Sequence, residues 1–79
     1  MKKALHKIVS FIVDDEKQVA VEESEQDEIT SYVIHVAKED MGKVIGKEGK
    51  IIRSIRNVMK ILAIKQGKRI QISIAEQSQ

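Results

Sequence analysis

The residues whose types and spacing suit chemistry with an anion lie in one stretch, Val44-Ile45-Gly46-Lys47-Glu48-Gly49-Lys50-Ile51-Ile52. Two glycines stand three positions apart. An apolar pair leads into the first, and a lysine followed by an apolar helical pattern leaves the second. Glycine reaches backbone conformations that other residues avoid, and without a side chain it lets another backbone come close. A helix starting at Lys50 has N–H groups with no intrahelical partner and the positive end of its macrodipole there, so the turn favours negative charge. Lys47 and Lys50 add mobile cations at the same spot. A phosphodiester backbone fits this combination, although the two glycines equally suit a plain helix C-cap and turn.

Other chemistries lack their residues. The phosphate loop of nucleotide hydrolases needs four residues between its glycines and then Gly-Lys-Ser/Thr; Gly42 and Gly46 have three between them and that tail does not occur. His6 and His35 are far apart and unaccompanied by thiols, so neither a metal site nor a cofactor is implied. No Ser/His/Asp or Cys/His set has supporting context, and the carboxylates gather in an acidic run away from the apolar residues.

The elements that position the glycine loop follow from periodicity. Residues 2–13 form an amphipathic helix with Leu5, Ile8, Val9 and Ile12 at helical spacing, widened by Ala4 and Phe11. Residues 18–23 alternate as a short strand, with Val19 and Val21 on one face. Residues 23–28 are an acidic hairpin connection, and residues 30–37 form a second strand with Tyr32, Ile34 and Val36 opposite Ser31, Val33 and His35. His35 reads as structural. Glu39 or Asp40 caps a short helix ending at Ile45. The longest helix covers residues 50–65, its apolar stripe made of Ile51, Ile52, Ile55, Val58, Met59, Leu62 and Ala63, with Arg53, Arg56 and Lys60 on the opposite side. Gly67 closes it, and residues 69–74 alternate as the last strand. The tail, residues 76–79, is expected to be loose.

The order is α-β-β-α-α-β. A hairpin makes the first two strands antiparallel, and the helical crossover makes the second and third parallel. The expected architecture is α+β, a three-stranded mixed sheet with three helices on one face, in a single domain over residues 1–79. No cysteine staples it. No apolar run approaches the roughly 20 residues that span a bilayer, which points to a soluble cytoplasmic protein without membrane contact. Net charge is +2, but residues 14–28 carry eight acidic side chains against Lys17, a net −7, and residues 43–69 carry nine basic ones against Glu48, a net +8. Such a dipolar domain steers a polyanion toward its basic half.

This order, with Ile45-Gly46-Lys47-Glu48-Gly49-Lys50 between two helices, resembles the type II KH domain, whose G-x-x-G loop clamps about four nucleotides of a single strand. More closely, Asp40-Met41-Gly42-Lys43-Val44-Ile45-Gly46-Lys47-Glu48-Gly49-Lys50, then Ile55-Arg56 and Gly67-Lys68-Arg69-Ile70, resembles the small single-domain bacterial KH proteins of the KhpA (YlqC) family. The chain departs from that family in having no proline at the first helix-to-strand junction. The resemblance implies a non-enzymatic, single-stranded RNA-binding protein. It also implies self-association, pairing with the larger KhpB (Jag, EloR) protein, and a part in post-transcriptional control and cell elongation or division. It carries backbone approach to Gly46 and Gly49, phosphate neutralisation to Lys47 and Lys50, and an extension of that contact to Lys43 and Arg53. Bases would enter an apolar groove for which Val44, Ile45, Ile52 and Val36 are candidates, and Glu48 weakens the clamp or turns away.

Ile61 and Ile64 fall outside the apolar stripe of the long helix, where two β-branched residues can form a self-complementary two-fold contact, so a homodimer through this helix is expected. Two rival readings stand beside RNA binding. One is a protein-interaction adaptor in which the loop is only a turn; the other is a single-stranded DNA binder, since such a clamp grips backbone more than sugar.

Overall fold

The computed structural model describes residues 1–75; the expectation for residues 76–79 lies outside them. The elements are α1 (Lys2–Ile12), β1 (Ala20–Gln26), β2 (Ile29–His35), α2 (Met41–Ile45), α3 (Lys50–Lys65) and β3 (Arg69–Ile74), with single 3-10 turns at Glu16–Gln18, Lys38–Asp40 and Lys47–Gly49. The strands stand in the order β1-β2-β3, the first pair antiparallel and the second parallel. Alternation sets the two faces: Val21, Tyr32, Ile34 and Ile72 turn inward and meet Leu5 and Val9 of α1, Val44 of α2, and Ile52, Ile55 and Met59 of α3 in one apolar cluster. This is the expected α+β arrangement, a mixed sheet with its helices on one face.

Several details differ from expectation. The acidic connection is shorter than six residues, because β1 runs on to Gln26, pairing Glu25 with Thr30 and Gln26 with Ile29. Only Asp27 and Glu28 turn, at φ 54 and 66. Two successive positive φ values give the mirror-image turn whose twist suits a hairpin. The ladder needs only backbone groups, so β1 continues although its acidic side chains stand exposed beyond the core. Secondly, Phe11 does not widen the stripe of α1 but is 80 % exposed. It follows Val9 by two residues and so lies about 200° around the helix from it. Thirdly, Ile51 and Val58 of α3 are exposed, and the buried stripe narrows to Ile52, Ile55, Met59 and Ala63.

Asp40 does not cap α2 with its side chain. Its carboxylate, only 3 % exposed, accepts the Asp15 N–H at 3.0 Å. Lys43 lies 3.8 Å from its other oxygen and also pairs with Asp14. The α1–β1 junction, which has no proline, is therefore fastened to the start of α2 by a carboxylate. The Asp15 N–H holds the Asp40 carboxyl below its usual range; burial opposes this, while the Asp14 backbone and the Lys43 charge add to it. A depressed folded-state pKa means that the stabilisation is complete above the unfolded aspartate value, near about 3.9, and is lost as pH falls through the folded value. In urea denaturation across that acid range, Asp40→Asn is expected to lower stability at neutral pH and to flatten part of the acid-side decline. Parallel wild-type and variant profiles would show that the carboxylate does not fasten the junction.

Candidate nucleic-acid interface

The loop between α2 and α3 has two glycines with different tasks. Gly46 ends α2, donating its N–H to the Gly42 carbonyl at 2.8 Å, and takes φ 77, ψ 172, a region essentially restricted to glycine. A Cβ there would stand 2.8 Å from Ile51 Cβ and 2.9 Å from the Ile51 backbone nitrogen, and would also collide with Cγ1. The first turn of α3 thus lies against a bare Cα. Glu48 and Gly49 both adopt left-handed conformations, at φ 57, ψ 25 and φ 73, ψ 17. A Cβ on Gly49 would meet only Arg53 Nη2, at 4.0 Å. Gly46 closes the loop, and Gly49 presents an open backbone.

The Gly49 N–H is engaged by the Gly46 carbonyl at 3.1 Å and the Lys50 N–H by that of Lys47, so these amides, expected to face a phosphate, already have partners. The exposed ammonium groups remain. Among the described residues neither Lys47 nor Lys50 enters an ion pair. Lys43 differs: it sits between Asp14 and Asp40, and the hydrogen bond to Asp14 raises its pKa above the ordinary lysine value. Arg53 braces the loop by donating to the Glu48 carbonyl at 3.3 Å. Ile45 is exposed beside the loop, whereas Val44, Ile52 and Val36 are buried. Those three are core residues and not walls of a groove, because the α2–α3 seam is closed by packing.

The open groove is elsewhere, between α3 and the outer edge of β3. It has a volume of about 730 Å³, with Arg53, Arg56, Asn57 and Lys60 on the helix wall and Ile70 and Ile72 on the strand wall. A second depression shares Lys60 and Ile70 with it and carries it on to Lys68 and Arg69. No carboxylate lines either part. The Ala75 N–H bonds to Ile34 on β2 at 2.9 Å, so by alternation Ile70 and Ile72 turn their backbone groups to the open edge. Arg56 Nε donates to the Ile72 carbonyl there at 3.0 Å. Arg56, Asn57 and Lys60 were absent from the site expected from sequence. Their signal was available in the cationic spacing 53, 56, 60 on one side of α3, which reads as a solvated face until β3 is placed beside it. Ile61 and Ile64 are 57 % and 66 % exposed, and Ile64 borders the lower end of the groove.

A family model described as "KhpA/KhpB, KH domain" matches residues 2–74. Proteins named RNA-binding protein KhpA are similar over nearly the whole length. The one from Clostridium acetobutylicum is 42 % identical over 94 % of this chain and 99 % of its own. That from Listeria monocytogenes serovar 1/2a is 37 % identical over 96 % and 100 %, and that from Chlamydia pneumoniae 35 % over 98 % and 99 %. These relatives are named as binding proteins and not as enzymes. No solved structure matches the chain.

The two glycines should separate experimentally. Gly46→Ala must displace the α3 backbone from an unfavourable φ, and is expected to cost about 3 kcal/mol in urea denaturation. Gly49→Ala meets open space and is expected to cost about 1 kcal/mol, the strain of a left-handed alanine. Equal losses would contradict the division of roles.

Proposed function

The chain belongs to the KhpA/KhpB family of KH domains, and from that premise we propose that it binds single-stranded RNA. In this reading the sugar-phosphate backbone crosses the exposed Cα of Gly49 between the Lys47 and Lys50 ammonium groups, and the bases turn into the α3–β3 groove. The observation that carries it is the acid-free cationic wall of the groove, Arg53, Arg56 and Lys60, on the helix that begins at the glycine loop. The names of the relatives agree with RNA as the ligand. The described residues contain no helix long and apolar enough to cross a membrane. We place the protein in the cytoplasm, in post-transcriptional regulation with a KhpB-type partner and in the control of cell shape. A second copy would dock through Ile61 and Ile64 on α3.

Binding through phosphates releases counterions, so log affinity should fall with log salt at a slope of about −0.7 for each phosphate neutralised on a single strand. The decisive variant is Gly49→Asp and not a change at Gly46, since Gly46 also holds the fold. Aspartate tolerates the left-handed region and suits a helix N-terminus, so the variant should fold. Fluorescence anisotropy with a labelled oligonucleotide is expected to show a loss of affinity of about tenfold or more from the added repulsion and bulk. Unchanged binding would favour the adaptor reading, and equal affinity for the DNA oligonucleotide would leave the sugar unread. For the second copy, Ile61→Lys should convert a dimer to a monomer in light scattering; an unchanged mass would reject that contact.

A further inference from the structure

We propose that the Arg56 guanidinium is the stacking platform for a base in the α3–β3 groove, and that it gives the site a preference for purines. This rests on the RNA reading above and names the residue that would hold a base there. A nucleobase entering a groove gains most from a flat partner, ordinarily an aromatic ring. The chain has one Phe, one Tyr and no Trp. Tyr32 is buried in the core and Phe11 projects from α1, so no ring lines the groove. The planar groups that do line it are the guanidinium groups of Arg53 and Arg56, and guanidinium planes stack on bases as rings do. Arg53 is turned to the glycine loop, where it donates to the Glu48 carbonyl, which leaves Arg56.

Arg56 is also held in place. Its Nε–H donates to the Ile72 carbonyl at 3.0 Å, fixing the plane against the edge of β3 before any ligand arrives. A side chain already ordered loses less entropy on binding. The same bond occupies the Ile72 carbonyl, leaving the side-chain amides of Asn57 and Gln71 in the groove wall to meet base edges. Arg53 and Lys60 lie one helical turn before and after Arg56, placed to neutralise the backbone on either side of the stacked base. A purine covers more of a plane than a pyrimidine does, so selectivity follows from stacking area and not from a hydrogen-bond code.

The test compares Arg56→Lys, which keeps the charge and loses the plane, with Lys60→Ala, using short RNAs that carry adenine, uracil or an abasic nucleotide at one central position. The wild type is expected to bind the adenine strand about tenfold more tightly than the abasic one. In Arg56→Lys that ratio should fall to near one with the salt slope unchanged, while Lys60→Ala should weaken all three strands alike and reduce the slope. Arg56 is exposed, so thermal unfolding should show both variants folded. An adenine-to-abasic ratio retained in Arg56→Lys, or a loss equal for all strands, would overturn the platform while leaving the RNA reading intact. Absence of binding by the wild type would overturn both.

Discussion

The close approach of Ile51 to the bare Cα of Gly46 is the constraint from which the rest of the site follows. α2 is only five residues long and cannot hold its direction alone, because isolated helices of that length are not stable in water. Its direction is set at both ends. At the start the buried Asp40 carboxylate ties it to the α1–β1 junction, and at the finish the chain folds over Gly46 so that α3 begins against it. With the ends fixed, Lys47, Glu48 and Gly49 have no choice but to project. Ile51 looks like a core residue by spacing, yet it is exposed on α3 and serves as the other half of this seam.

Charge acts over a longer range. β2 runs from the acidic hairpin toward α2, and α3 and β3 run back and forth beside it, so topology puts the turn of Asp27 and Glu28 at the opposite end of the sheet from the glycine loop. The loop lysines are thus held away from the acidic turn, whereas Arg69, aligned with Ile29, stands at the hairpin end, so the field of Lys47 and Lys50 favours a polyanion at the loop end. Not every lysine counts toward that field. Lys43 is neutralised locally by Asp14 and Asp40, whereas Lys47 and Lys50 keep their charge for a ligand.

Much of this was legible in the residues. Period-two alternation at Arg69–Ile74, helical spacing across Lys50–Lys65 and the paired glycines gave the element order and the location of the loop, because each is a local property of backbone and side-chain periodicity. The identity of the groove was not legible. Val36, Val44 and Ile52 are apolar and flank the loop, so in one dimension they resemble a groove wall; only packing shows them to be enclosed. Arg56 resembles a solvated arginine until the parallel crossover brings the edge of β3 to its side. Asp40 looks like a helix cap, and its real partner lies twenty-five positions earlier in the chain. Partners distant in sequence leave no local pattern, and each revision to the site involves one.

The central claim is that a single nucleic-acid strand lies across the Gly49 side of the loop and continues along the α3–β3 groove. Residue-resolved NMR titration with a short single-stranded RNA tests it most directly. Amide signals of Gly46 through Lys50, together with those of Arg53, Arg56 and Ile72, should shift progressively, while the hairpin turn at Asp27 and Glu28 stays unmoved. Shifts confined to α1 or to the hairpin, with the loop signals unchanged at saturation, would contradict it.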